Sequence, residues 1–171
     1  MELDIRYVAG LFDGEGWITV SVLPITSLGS NNRYAREHIR YQLFVGISMT
    51  HYPIIEALHK QFGGMFTRCS TAKRVNPNHR ITYTWRVASR KAGHFLPLIA
   101  PHLVVKREEA EIAMEFQRHI QENTGKMKYK PEMRPELYAY RQDVVERLRT
   151  LKKRAYDVIP VRSDPILQAA N

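Results

Sequence analysis

The stretch Val8-Ala9-Gly10-Leu11-Phe12-Asp13-Gly14-Glu15-Gly16 joins two sequence patterns of different period. Apolar residues recur at helical spacing over residues 5–14, which predicts a buried helix. Residues 17–23 alternate apolar and polar side chains, which predicts a half-buried strand closed by Pro24. Two carboxylates and three glycines therefore stand where a helix turns directly into a strand.

The charge of this stretch is opposite to that of the whole chain. The 171 residues include 26 Lys and Arg and 17 Asp and Glu, a net charge of +9, yet residues 1–16 hold four acids and one base. A basic chain favours a polyanionic partner, either nucleic acid or an anionic membrane surface. Carboxylates in such surroundings can hold a hydrated divalent cation next to a phosphate.

Other compositional features narrow the class of protein. No apolar run is long enough to cross a bilayer and no signal peptide opens the chain. We therefore expect an intracellular protein, in the cytoplasm, nucleoid or an organelle matrix, without a membrane partner. One cysteine excludes an intramolecular disulfide, and the seven histidines lack zinc-site spacing.

The pattern of helix and strand pair recurs along the chain. We predict a second strand in which Ile39, Tyr41, Leu43, Val45 and Ile47 share one face, a helix at 52–62, strands at 65–71 and 81–88, and helices at 91–99, 106–123 and 136–156. This order predicts an α+β fold, a mixed αββαββα core over 5–123 with one antiparallel sheet and helices on one of its faces. We expect residues 1–171 to form one domain, with a linker at 124–135, an extra C-terminal helix and a loose tail at 157–171.

The second face of the predicted strands is basic and polar. Residues 33–90 hold ten Lys and Arg but two acids. Such side chains on a two-stranded ribbon can enter the major groove of DNA, where Arg reads guanine and Gln reads adenine. The alternative is a solvated strand face. The predicted DNA-contacting residues are Thr19, Ser21, Arg36, His38, Arg40, Gln42, Arg68, Ser70, Lys73, Arg74, Arg80, Thr82, Thr84 and Arg86.

The last predicted helix permits two compatible interpretations. Its basic run, Lys152-Lys153-Arg154, can contact phosphates at the flanks of a DNA site. Its apolar stripe can equally pack on the core, through Leu137, Tyr140, Val144, Leu148 and Leu151.

Gly10 and Gly14 lie four residues apart, on one face of the first helix with Ala9 beside them. A face of small residues lets two helix backbones approach closely, as in a symmetric dimer. Alternatively, the glycines only end the helix. On the first interpretation Ala9, Gly10 and Gly14 lie at a dimer interface.

Residues 8–16, VAGLFDGEG, resemble the LAGLIDADG signature of the homing endonucleases. The order of elements expected for that family matches residues 5–123. Two further segments agree, LHKQFGG at 58–64 and PHLVVKREEA at 101–110, the latter similar to the family segment that carries a basic active-site lysine.

The resemblance implies a site-specific endonuclease with a saddle-like DNA-binding sheet, which makes a staggered double-strand break in a long, roughly palindromic site by metal-dependent hydrolysis. Glu15 would be catalytic and hold metal, with the Gly14 carbonyl as a further ligand. Lys106 would be the second catalytic residue, and Asp13 would be structural, near the dimer interface. A single motif copy implies a homodimer. Mg²⁺ would be the cofactor, Mn²⁺ would substitute, and Ca²⁺ would support binding without cleavage.

Two departures from the family pattern stand out. Glu replaces the commoner Asp at residue 15, and no Gln or Asn stands near Met49, where Ser48, Thr50 and His51 are the candidate replacements. Two alternatives use the same scaffold. One is a maturase that binds intron RNA, and the other is a DNA-binding regulator without catalysis.

Overall fold

A computed structural model of the chain describes residues 2–26, 37–69, 80–123 and 135–157. Along the chain the elements are α1 (Ile5–Glu15), β1 (Gly16–Thr26), β2 (Glu37–Met49), α2 (Tyr52–Phe62), β3 (Met65–Cys69), β4 (Thr82–Ala88), α3 (Arg90–Ile99), a 3₁₀ turn (Ala100–His102), α4 (Arg107–Glu122) and α5 (Pro135–Asp157). This order confirms the predicted αββαββα arrangement and the additional C-terminal helix.

Helix α1 passes into strand β1 without a loop. The Asp4 side chain begins the helix by accepting hydrogen bonds from the backbone N–H groups of Arg6 and Tyr7, at 2.8 and 3.3 Å. Gly16 ends it in an extended conformation, and a Cβ atom there would lie 2.6 Å from Cγ of Phe12. Glycine at this position therefore lets the chain leave the helix against the Phe12 ring and start the strand at once.

The four strands form one antiparallel sheet in the order β1-β2-β4-β3. Strand β1 was predicted to end before Pro24, and this prediction was wrong, because Pro24 pairs with Ile39 and the strand continues to Thr26. An edge strand tolerates proline since one side of its backbone has no partner strand. The sheet therefore extends further along β1 and β2 than the alternation pattern alone predicts.

The core lies between one face of the sheet and the helices. Ile18, Val45 and Trp85 project from three strands and are buried there. The Phe95 ring of α3 contacts the rings of Phe12 and Trp85, with centroids 6.0 and 5.0 Å apart. We call the opposite face of the sheet, which these helices leave uncovered, the open face.

Helix α5 packs on this core through its apolar stripe, as predicted. Val144 and Leu148 are buried, and the Tyr138 ring lies 6.2 Å from the Tyr41 ring of β2. Tyr140 donates a hydrogen bond to Glu115 of α4 at 2.9 Å. These contacts fix the position of α5 relative to β2 and α4.

Candidate active site and nucleic-acid interface

Glu15 is the last residue of α1 and its side chain is exposed. The carbonyl groups in the final turn of a helix, Gly14 among them here, lack N–H partners within that helix, and the helix dipole makes this end negative. The last turn of α1 carries no basic side chain that would neutralise it. A carboxylate and backbone carbonyl oxygens at a negative helix end suit a hard cation such as Mg²⁺.

The described residues offer Glu15 no complete set of metal ligands. Among residues 2–26, 37–69, 80–123 and 135–157, no group of three or more His, Cys, Asp and Glu could hold a metal ion. Mg²⁺ commonly keeps several waters and takes the remaining ligands from one or two carboxylates and a substrate phosphate. The donor set at Glu15 fits that mode of binding and does not fit an all-protein cage.

Asp13, the other acid of the motif, is engaged with the backbone. Its carboxylate accepts hydrogen bonds from the N–H groups of Val104 and Lys106, at 2.8 and 2.9 Å. Burial alone would raise the pKa of Asp13, but the N–H groups of residues 104–106 and the positive charge of Lys106 together lower it. Asp13 thereby ties the segment before α4 to the end of α1.

Lys106 stands at the start of α4, and its ammonium group donates a hydrogen bond to the Asp13 carbonyl. It lines an open cleft of about 400 Å³, which we call the motif cleft, together with Gly14, Gly16, Trp17, Val105, Glu109 and Lys152. The motif cleft therefore joins the end of α1, the beginning of α4 and the last turns of α5.

Two charged residues of the motif cleft, Glu109 and Lys152, were not predicted to lie there. Burial raises the pKa of Glu109, although Lys152 and Lys106 both act to lower it. Lys152 donates to the Ile18 carbonyl at 2.6 Å, so it lies beside the motif. A sequence signal existed for Glu109, because it follows Lys106 by three residues and so lies one helical turn away. Lys152 gave none, since its position depends on how α5 packs.

The Trp17 side chain contacts residues at the end of β2. The Trp17 ring lies over Gly46, where a Cβ atom would come within 2.5 Å of it, and its Nε1 donates to Ser48 Oγ at 3.4 Å. Ser48 also shares a hydrogen bond of 2.9 Å with Thr84 Oγ1. Of the three candidates near Met49, Ser48 is thus the one that lies on the open face and next to a residue of the motif cleft.

Most of the described residues predicted to contact DNA share the open face. The register pairs Thr19 with Phe44 and Ser21 with Gln42, and it places Arg86 opposite Gly46. The alternation of the strands puts six of the predicted residues on this face, namely Thr19, Ser21, Arg40, Gln42, Thr84 and Arg86, and Thr82 joins them at the start of β4. They share this face with apolar side chains such as Phe44 and Leu23, and Arg40 and Arg86 give it positive charge.

Contacts within the open face hold some of these side chains in place. The guanidinium of Arg86 lies 5.7 Å from the centre of the Phe44 ring, a distance at which the cation and the ring attract. Gln42 donates to Ser89 Oγ at 3.2 Å. Arg40 and Arg86 remain exposed.

Arg68 does not lie on the open face, so its prediction as a base-reading residue there was wrong. It pairs with Tyr83, and its strand neighbour Phe66 pairs with Trp85, both on the helix side of the sheet. The Phe66 ring contacts Tyr52 of α2, with centroids 6.1 Å apart. The register of β3 decides this, because a shift of one residue exchanges the two faces of a strand.

The remaining predicted DNA contacts are described in part or not at all. Arg80 is exposed just before β4. His38 occupies an open-face position in the backbone of β2, but its side chain lies outside the described residues. Arg36, Ser70, Lys73 and Arg74 also lie outside them.

The exposed surface of α1 contains both helical glycines. A Cβ atom at Gly10 or Gly14 would meet nothing within 4 Å. Ala9, by contrast, is 0% exposed in the core of its own protomer, so its predicted place at a dimer interface was wrong. Next to the end of α1, Val104 and Val105 are 82% and 74% exposed. The unobstructed surface at Gly10 and Gly14 therefore lies next to exposed apolar side chains.

Comparison with known proteins places the fold. No family model and no curated protein matches the chain. Solved structures do match: the homing endonuclease I-TnaI has a TM-score of 0.59 and 17% identity over 90% of this chain and 99% of its own. I-CvuI, in complex with its target in the presence of Ca, has a TM-score of 0.58 and 17% identity over 86% of this chain and 80% of its own.

A third similar structure is named as a LAGLIDADG protein. The I-LtrWI LAGLIDADG homing endonuclease, bound to target DNA, has a TM-score of 0.58 and 16% identity over 85% of this chain but 44% of its own. The chain has the LAGLIDADG homing endonuclease fold. This agreement confirms the resemblance read from residues 8–16. In the described part of the chain, no helix has both the length and the apolar character needed to cross a membrane.

Proposed function

We propose that this protein is a site-specific DNA endonuclease, which makes a staggered double-strand break in a long, roughly palindromic site. The observation that carries the proposal is that Glu15 ends α1, while the Lys106 ammonium binds the Asp13 carbonyl two residues before it, where β1 of the sheet begins. The similar proteins I-CvuI and I-LtrWI were solved with their DNA targets, and this supports DNA as the partner.

Glu15 and the Gly14 carbonyl would hold the metal ion. Mg²⁺ bound there would lower the pKa of a water and stabilise the charge that develops on the phosphate. Mn²⁺ should substitute, and Ca²⁺ should support binding without cleavage. The Lys106 ammonium, held by the Asp13 carbonyl, has donors left for a non-bridging phosphate oxygen and would stabilise negative charge in the transition state.

A homodimer would supply the second half of the site. Glycine inside a helix costs about 0.5–1 kcal/mol relative to alanine. The protomer gives no steric reason for Gly10 or Gly14, since a Cβ atom at either would meet nothing. Close approach of a second α1 helix would give a steric reason for both glycines. It would also bring the two Glu15 residues together across a two-fold axis.

The extent of the structural matches supports the same assembly. The chain covers 99% of I-TnaI but 44% of I-LtrWI, so its fold accounts for a whole I-TnaI chain and for less than half of an I-LtrWI chain. One motif per chain, used twice by symmetry, would then give one cut in each DNA strand.

The open face would contact the major groove. Arg40 and Arg86 are exposed on it, and bidentate hydrogen bonds from Arg read guanine. Phosphate contacts by basic residues would supply much of the affinity, which should therefore fall steeply with salt.

The test uses a duplex with the intron-free sequence of the locus that carries the gene. We expect cleavage at one position in Mg²⁺ and in Mn²⁺, with staggered ends, and binding without cleavage in Ca²⁺. Binding without cleavage in all three metals would indicate a DNA-binding regulator instead. Binding of the intron RNA but not of the duplex would indicate a maturase.

A further inference from the structure

The last helix brings a second ammonium group into the motif cleft. Lys152 of α5 donates to the Ile18 carbonyl at 2.6 Å, two residues beyond the Gly16 that ends α1. Strand β1 lies at the edge of the sheet, so carbonyl groups on its outer side have no partner strand. The hydrogen bond to one of them fixes the Lys152 ammonium at Ile18, a residue that follows the motif closely in the sequence.

The packing of α5 holds Lys152 in this position. Val144 and Leu148, two turns and one turn before it, are 0% and 3% exposed. Sliding or rotating the helix would expose these apolar side chains to water, which is unfavourable. Lys153, the next residue, is exposed and does not line the motif cleft. The two adjacent lysines therefore differ in where their charges lie.

The motif cleft carries an excess of positive charge. Two ammonium groups, of Lys106 and Lys152, share it with one carboxylate, Glu109. In the described part of the chain, Glu109 forms no ion pair within 4.0 Å with either lysine. An ammonium group has three donors, and Lys152 uses one at Ile18, so two remain for a further acceptor.

We propose that Lys152 is a phosphate-binding residue of the cleavage site, whose ammonium group contacts a backbone phosphate of the DNA strand that enters the motif cleft next to the scissile bond. The inference rests on the proposed function, because it assigns a further contact to the same site. It gives α5, which lies outside the αββαββα core, a direct part in holding the strand to be cut. Glu109 limits the net positive charge where the strand enters.

The test compares Lys152→Gln with Lys153→Gln, which removes the same charge one residue away. Glutamine keeps a donor for the Ile18 carbonyl, so loss of the charge is separated from loss of that hydrogen bond. The probe is a duplex of random sequence in Ca²⁺, and its affinity is measured across a range of salt. Each lost phosphate contact lowers the salt slope by about 0.9, hence by roughly two for a dimer.

Between roughly 50 and 200 mM salt, the wild type and Lys153→Gln should lose affinity to the same extent. Over the same range Lys152→Gln should lose about tenfold less, because it has fewer phosphate contacts. Lys152→Arg should keep the wild-type slope, because it keeps the charge. Equal slopes for Lys152→Gln and Lys153→Gln would overturn the inference and leave Lys152 as a structural partner of β1.

A second measurement needs no variant. Acetylation of the wild-type protein, resolved by residue, should become slower at Lys152 when the duplex is added and stay unchanged at Lys153. Equal change at both lysines would also overturn the inference. A wild-type protein that binds no duplex contradicts the proposed function, whereas a wild type that binds and cleaves while Lys152 shows no effect contradicts the inference alone.

Discussion

Replacement of Gly10 by alanine should have opposite effects on the protomer and on the dimer. A Cβ atom at Gly10 would meet nothing within 4 Å of the protomer, and the residue lies inside α1. Alanine is favoured over glycine inside a helix by about 0.5–1 kcal/mol. The isolated protomer should therefore become more stable by that amount, which raises the melting temperature of a chain of this size by about 1–4 °C.

In the dimer the added methyl group would lie between two closely packed helices. Overpacking of a tight contact costs about 1–3 kcal/mol, which raises the dimer dissociation constant about 5- to 150-fold. Sedimentation over a concentration series measures this constant, and urea unfolding at a concentration where the protein is monomeric measures protomer stability. Gly14→Ala should behave in the same way, because a Cβ atom there also meets nothing.

Gly16→Ala is the matched control. Its Cβ atom would lie 2.6 Å from Cγ of Phe12, so this variant should be less stable as a protomer. If Gly10→Ala and Gly14→Ala both dimerise as strongly as the wild type, the glycine face is not the dimer interface, and the symmetric arrangement of the two Glu15 residues loses its support.

Three further predictions follow from other parts of the structure. Asp13→Asn should lower stability at neutral pH by about 1.5–3 kcal/mol in urea unfolding, because two backbone N–H groups lose a charged acceptor. Since the pKa of Asp13 is lowered, the wild type should keep this advantage above the ordinary value of 3.8 and lose it as pH falls through the folded-state pKa. Burial and the hydrogen bond to Glu115 raise the pKa of Tyr140 to about 12, so a spectrophotometric titration should show a late ionisation that is lost in Tyr140→Phe. Arg86→Gln should reduce the salt dependence of duplex binding, whereas Arg68→Gln, on the helix side, should leave it unchanged.

Local patterns in the sequence predicted most of the helices and strands. The helical spacing of residues 5–14 and the alternation after Trp17 predicted α1 and β1, because burial of one face dictates both periods. The end of β1 was missed because Pro24 normally closes a strand, and its tolerance depends on β1 being an edge strand. Strand order is a property of the whole sheet, so the sequence of a short segment does not predict it.

Sequence alone predicted only those site residues that belong to a recognisable motif. Glu15, Gly14 and Lys106 were identified from two segments; Gly14 and Lys106 both line the motif cleft, and Glu15 follows Gly14 as the last residue of α1. Arg68 was misplaced because one residue of register decides which face a strand residue occupies. The position of Lys152 depends on contacts between α5 and β1 that are 134 residues apart in sequence, and no local pattern encodes such a distance.

The central assignment is that Glu15 holds the metal ion used in DNA cleavage. The most direct measurement is single-turnover cleavage of the intron-free duplex in Mg²⁺ by the wild type, Glu15→Gln and the control Glu108→Gln, whose side chain is exposed on α4. Glu15→Gln should bind the duplex in Ca²⁺ as the wild type does but cleave it on the order of 10³-fold more slowly, while Glu108→Gln cleaves normally. Cleavage by Glu15→Gln at the wild-type rate would remove Glu15 from the mechanism.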